Sequence, residues 1–588
     1  PTPMSTTMQR SLAALGGLFL LAPALIAQVE NGGDYVIQGI FSPTIADAQK
    51  IDLRPEPIDT ILPDQAVKYD VLTVKAVIPA TVDSIAAARL NVVESQQKLY
   101  KGFVKGGFGL YTTPLGEVYY DQTRSRENAY GVHLKHLSSN GGLKDVGPSD
   151  YSTNKADLFY NHYLRNHEVG GRFMYDRRRV SYYGYNAVDS IEYLINTLDT
   201  KEDARKQVYN DLGFAVRVRS LYKDSTLIAH DVNLEVHAYS NLSESKETNV
   251  RITADLSKNE QGDRYGLGIV VDNNAYRSLY REGVFGEGTT VSTADKRTNG
   301  TMIGLIPMVK REGDKYVVRV GAGLYVDAQN TTTFHFYPKA YASYSLFDDI
   351  LVPYIGFEGE RKRNSLRSLT RENPWLIGAP ALKNSSLLYD LYGGIRGSFS
   401  SKIGFDVRLG YSSTEDKPLY ISAPNYPTGD RMAVVYDRVD IFVVGGELSY
   451  RHSDAMRLKA RVDFYTYTTE VENEAWNLPP YKISFGGTYN LREKLFVNVE
   501  ALILGQRKSA YYLQPTDATP DATTGLITQP VEFNLNGYLD LHLGLEYRYT
   551  KRLSVFLDMS NLSASKYEQY YQYGVQRGLL IGGATYSF

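Results

Sequence analysis

The chain has 588 residues, with 48 Tyr against 21 Phe and 2 Trp, no Cys, and a formal net charge of -2. The lack of cysteine excludes disulfides, thiolate metal sites and a lipid-bearing N-terminal Cys, and the near-neutral balance offers no electrostatic footprint for nucleic acid. The length exceeds what one soluble core usually holds, and the tyrosine excess suits a protein with two aromatic boundaries to contact.

In chain order, Met4 to Ala27 reads as a removable export segment. Arg10 supplies the positive charge, Leu12 to Leu21 a short apolar core, and Ala22, Ala24 and Ala27 the small cleavage residues. The alternative, a single anchoring helix, is opposed by the shortness of that core. Residues 1–3, upstream of Met4, read as readthrough, so 1–27 is assigned to the signal peptide. Residues 28–99 differ in texture: Pro43, Pro55, Pro57, Pro63 and Pro79 interrupt few apolar alternations, which predicts a mostly extended periplasmic arm or partial plug. Val82 to Val93, with Ile85, Ala86, Ala87 and Leu90, is spaced for one short helix.

From Tyr100 to Phe588 apolar and polar residues alternate. Met456, Leu458, Ala460, Val462 and Phe464 share one face of a strand, and Arg457, Lys459, Arg461, Asp463 and Tyr465 the other. Leu541 to Arg548 and Val318 to Tyr325 repeat the split. No stretch after the first 30 residues is apolar enough for a spanning helix, and backbone in hydrocarbon must be paired internally, so a closed barrel is the β solution. A soluble sandwich has the same alternation; the tyrosines and the export segment favour the membrane. The expected fold is all-β, a transmembrane antiparallel barrel of about 22 strands within a range of 16 to 22. Short turns are expected near 165–167, 222–225, 259–262, 311–314, 347–349, 398–401, 452–454, 491–493 and 550–552. Longer external connections are expected near 137–153, 187–205, 276–298, 365–387, 412–431 and 505–533. That alternation places both termini in the periplasm.

The polar faces carry both signs of charge. Arg319, Glu447, Arg457, Lys459, Arg461, Asp463, Glu500, Glu546 and Arg548 are the candidate lumen-lining residues, either pairing across a wet interior or lining a path for polar solutes. Arg177-Arg178-Arg179 has the chemistry to grip acidic lipid sugars, but lumen counter-ions or a solvated rim is the preferred reading. His133 and His136, three apart on a strand, face opposite sides and make a poor joint metal site. No nucleophile-elbow spacing points to catalysis, so no enzyme and no cofactor are expected.

Several segments carry a family resemblance: Ser42 to Ile51, Lys98-Leu99-Tyr100 with Gly106 to Gly109, Tyr111 to Glu117, and His133 to Ser139. The mature chain resembles a family of Bacteroidota outer-membrane barrels commonly labelled TonB-dependent-receptor-like, which implies a Gram-negative envelope. Asp70-Val71-Leu72-Thr73-Val74-Lys75-Ala76 resembles the box by which such receptors engage an energising partner; the plain alternative is an extended strand. Only residues 76–99 separate it from the first strand, so a full plug domain has no room there. Tyr586 and the terminal Phe588 resemble the insertion signal read by the barrel-assembly machinery. The expected function is a receptor-like or porin-like transport barrel passing or binding polar solutes; the alternative is a non-transporting structural or assembly subunit. Expected partners are outer-membrane lipids and lipopolysaccharide, the assembly machinery, and a periplasmic or surface protein, with no nucleic acid.

Overall fold

The computed structural model describes residues 100–588 apart from 123–124, 145, 185–204, 225, 283–291, 330, 424–429, 454 and 512–530. The export segment, the 28–99 arm, its 82–93 helix and the Asp70 to Ala76 segment lie outside the described residues.

Twenty-two strands form one antiparallel sheet among the described residues. They are β1 Gly102–Gly109, β2 Thr113–Gln122, β3 Asn128–Ser139, β4 Tyr151–Tyr163, β5 His167–Ser181, β6 Lys206–Ser220, β7 Ala229–Asn241 and β8 Lys246–Glu260. Next come β9 Asp263–Glu282, β10 Ser292–Glu312, β11 Tyr316–Ala328, β12 Thr332–Tyr344, β13 Leu351–Lys362, β14 Ser385–Ser400, β15 Ile403–Ser422 and β16 Met432–Ser453. The ring is completed by β17 Met456–Thr469, β18 Tyr481–Leu491, β19 Leu495–Leu504, β22 Tyr538–Arg548, β23 Leu553–Ser560 and β26 Leu579–Ser587. Two small ribbons, β20 Arg507–Tyr511 with β21 Val531–Leu535 and β24 Glu568–Tyr570 with β25 Tyr573–Gly574, sit in connections, as does one helix, α1 Leu366–Glu372.

Each barrel strand pairs with its predecessor, and β26 returns to β1 in a continuous register from Phe103↔Ser587 to Gly109↔Ile581. The closed ring leaves no strand edge, as a bilayer demands. Outward apolar side chains stand in rows: Phe334 and Phe336, two apart on β12, are 69% and 59% exposed. Water would penalise such rows on every strand, whereas lipid solvates them.

One end of the ring carries tight turns. Gln261-Gly262 (φ 54°, 88°) and Arg492-Glu493 (φ 52°, 56°) place both central residues in the left-handed region, the geometry that matches the twist of a two-residue hairpin. Ser587 N–H donates to the Arg552 carbonyl in another short turn, so the closing strand ends at this same face. The opposite end carries the longer connections, among them 363–384 and 561–578, although the β1–β2, β7–β8 and β11–β12 links there are also short. Strands near the long-loop end run further than the sequence spacing suggests. The 412–431 segment expected as a loop is strand as far as Ser422, and β16 is 22 residues long. Ser412 to Lys417 is polar on both faces because it stands beyond the apolar belt, and a bulge between Thr414 and Lys417 breaks its alternation.

The β1–β26 seam is built for close approach. A Cβ at Gly583 would lie 2.1 Å from the Gly106 carbonyl oxygen and 2.6 Å from the Phe556 ring. Glycine is required there by the space and not by dihedral freedom.

Candidate functional site

The long-loop end is closed by its own connections. Tyr182 and Tyr183 follow β5, Leu369, Trp375 and Leu376 lie between β13 and β14, Tyr420 and Met432 come from β15 and β16, and Tyr570 and Tyr573 lie between β23 and β26; all form one buried cluster. Around the ring, the β5–β6, β13–β14 and β23–β26 connections are separated by eight, eight and six strands. Contact among three such sectors is made only across the opening. Trp375 stacks on Tyr573 at 4.2 Å, and Tyr183 meets Tyr573 edge-on at 5.0 Å. The Tyr183 hydroxyl donates to the Gly574 carbonyl at 2.9 Å, Tyr182 to Leu376 O at 3.0 Å, and Tyr573 to Asp430 O. Burial holds the Tyr183, Tyr570 and Tyr573 phenols well above their ordinary range, so they act as neutral donors.

The 363–384 connection is the centre of this cap, and two sets of groups fasten it to the wall. Tyr209 donates to Pro374 O at 2.8 Å, Tyr436 to Ala381 O at 2.9 Å and Tyr276 to Pro380 O at 3.4 Å, while Tyr239 shares a 2.6 Å bond with Thr370. Acids from β6, β9 and β11 meet the arginines of this loop and of the end of β13 that leads into it. Asp211 accepts from Arg367 at 2.6 Å, from Arg371 at 2.7 Å and bonds His237 at 2.8 Å; Arg363 pairs with Asp272 at 2.5 Å and Arg361 with Asp327 at 2.8 Å. Glu247 takes the place of first-turn acid for α1, accepting the Leu366 N–H at 2.6 Å and the Arg367 N–H at 3.3 Å. Ser365 and Ser368 close a capping box on the same end. The chemistry is that of a seated plug of loop, with its backbone groups and charges satisfied by the barrel.

Beneath the cap lies a cavity of about 260 Å³ whose lining includes Leu143, Asp150, Arg178, Arg179, Tyr183 and Trp375. Arg179 pairs with Asp150 at 2.6 Å, and Arg178 places its guanidinium 5.7 Å from the Tyr209 ring centre.

The residues singled out from the sequence are placed as follows. Glu447, Lys459, Arg461 and Asp463 come together, with Lys459–Glu447 at 2.7 Å, Arg461–Glu447 at 3.5 Å and Arg461–Asp463 at 2.8 Å. Arg457 stands opposite Arg451 and is exposed. Arg319 is 3.4 Å from Glu358 and lies over the Tyr341 ring. Glu500 is exposed opposite His542, Glu546 faces Phe496 and Phe556, and Arg548 lies 4.6 Å over the Phe496 ring. His133 bonds Glu117 at 2.8 Å and His136 bonds Asn154 at 2.7 Å. Tyr586 is exposed on the outside, and the Phe588 carbonyl accepts the Lys101 N–H at 2.8 Å. Sequence reading placed a long external connection near 365–387 but did not identify the residues that seat it as a cap. Its signal was the basic series Arg361, Arg363, Arg367 and Arg371, running from the end of β13 into the connection ahead of Pro374-Trp375.

No protein-family model matches the chain, and no curated protein is similar to it. Solved structures are. The FrpB iron transporter from Neisseria meningitidis (F3-3 variant) superposes with TM-score 0.63 at 8% identity over 84% of this chain and 82% of its own. The siderophore receptor PirA from Acinetobacter baumannii gives 0.62 at 11% over 84% and 81%. The ferripyoverdine receptor of the outer membrane of Pseudomonas aeruginosa gives 0.59 at 13% over 84% and 72%. At such identities the likeness is one of fold: this chain is built as the barrel of those receptors is built.

Proposed function

We propose that the protein is an outer-membrane barrel of the receptor-like transport class, with both termini in the periplasm, that binds polar solutes under its capped mouth and passes them through the lumen. The observation that carries this reading is the cap: loops from three sectors of a 22-strand ring meet over the opening and, with the wall, line a charged, aromatic cavity. A ring of this size is wide enough to need closure. A seated loop argues for a gated path over a permanently open pore. The two-signed set around Glu447, Lys459, Arg461 and Asp463, with Arg319, Arg457, Glu500, Glu546 and Arg548, lines the proposed path. The segment Asp70 to Val74 would engage an energising periplasmic partner, and Tyr586 with Phe588 would be read during insertion. Lipids and lipopolysaccharide would contact the apolar belt.

The test is planar-bilayer conductance of the mature protein and of a variant in which residues 364–383 are replaced by a short Gly-Ser linker. The native barrel is expected to be nearly silent and the variant to conduct. Silence of the variant, even after further removal of residues 28–96, would sink the transport reading. The density of buried ion pairs under α1 favours a second reading, a static seal in a structural or assembly subunit. Purification in mild detergent that returns only a lone monomer would remove that alternative.

A further inference from the structure

We propose that the cavity beneath the cap binds a compact organic anion through a carboxylate or phosphate oxygen, with Arg178 and Trp375 as its donors; this rests on the reading of the mouth as a solute-binding site. Arg178 and Trp375 line the cavity, and one N–H group of each, Arg178 Nη2 and Trp375 Nε1, is buried and meets no acceptor among the described residues. Arg179 Nε, on the same lining, is in the same condition, although its other nitrogen is held by Asp150. Buried donors without acceptors are rare in folded proteins, because the hydration they give up is not replaced. Around α1, Tyr182, Tyr209, Arg367 and Arg363 find carbonyls and carboxylates, while Asn373 Nδ2 and Tyr420 Oη in the cap also meet no hydrogen-bond partner among the described residues.

The charges agree with the donors. The lining carries two basic side chains, Arg178 and Arg179, against one acidic one, Asp150. A ligand oxygen with negative charge and no hydrogen to donate completes the set, and a guanidinium fork is the group best shaped to receive one. The rest of the lining mixes apolar and aromatic groups, among them Leu143, Pro374 and the Trp375 ring, with neutral polar ones, among them Ser149 and Gln576. The apolar and aromatic groups call for an organic body behind the anionic head. The volume of about 260 Å³ is below the usual range for drug-sized ligands, so the body is small.

Trp375 makes the test direct, since Trp476 is the chain's one other tryptophan. In the full mature chain folded in detergent, Trp476→Phe leaves Trp375 as the reporter, and the emission difference between wild type and Trp375→Phe serves as a check. Citrate, glucose 6-phosphate and glucose are the probes. Citrate or glucose 6-phosphate is expected to shift the emission saturably, and glucose to leave it unchanged. A response to citrate alone assigns a carboxylate, and to glucose 6-phosphate alone a phosphate. Arg178→Gln is expected to weaken binding at least about tenfold, and Arg178→Lys, which keeps the charge but loses the fork, by less. The absence of a saturable shift with both anions, an equal response to glucose, or unchanged binding in a folded Arg178→Gln protein would overturn the proposal. Fluorescence reports binding without passage, so its failure leaves the conductance result standing, and a silent pore leaves a measured affinity standing.

Discussion

Asp211 is the residue on which the cap's attachment turns. Almost fully buried, it holds His237, Arg367 and Arg371 at once. Replacing one member of a buried charge network strands the others, at about 3 kcal/mol. Asp211→Asn is therefore expected to release α1 while leaving the barrel closed. Trypsin would then cut after Arg367 or Arg371 in the variant and not in the native protein, with unchanged mobility of the unheated barrel on gels. Tyr209→Phe removes a single hydroxyl from the Pro374 carbonyl, an effect of about 1 kcal/mol, read as faster hydrogen exchange in residues 366–376 alone. These partners were not legible in the sequence. Asp211, Glu247, Asp272 and Asp327 lie on separate strands, and only the curvature of the ring turns them toward one loop. Tyrosine misled in a similar way. Its abundance reads as membrane girdles, and exposed residues such as Tyr547 and Tyr586 fit that, yet Tyr182, Tyr209, Tyr239 and Tyr573 are buried under the cap. Composition counts rings without saying which side of the wall they stand on.

Elements were more readable than contacts. The expected short turns near 165–167, 259–262 and 491–493 coincide with the links after β4, β8 and β18, because a tight hairpin needs its turn residues in a run of two or three. Strand ends beyond the lipid belt were not readable, since with neither face in hydrocarbon the period-two signal fades, as at Ser412 to Lys417. The closing seam allows a sharp comparison. Gly583→Ala drives a methyl into the Gly106 carbonyl, while Gly106→Ala meets nothing within 4 Å. The first substitution is expected to deplete the heat-modifiable folded form and the second to leave it intact, as judged by gels of unheated samples.

At the scale of the whole molecule, stability and conduction separate. The Glu447, Lys459 and Arg461 side chains are between 24% and 46% exposed, so each pair adds no more than about 1 kcal/mol to folding. Lys459→Gln with Arg461→Gln is accordingly expected to leave the barrel folded and, in a chain with the cap loop removed, to shift ion selectivity toward cations in reversal-potential measurements. The bonds from Lys101 and Gly102 to Phe588 carry a last consequence. Every other strand pairing in the ring joins chain neighbours, so the barrel grows by adding hairpins and a single event unites its distant ends. Chain order is thus nearly a free choice: a circular permutant that links Phe588 to Lys101 through a short Gly-Ser bridge and opens at Gln261-Gly262 keeps every ladder of the ring, with the original join now an ordinary hairpin and the β8–β9 ladder formed last.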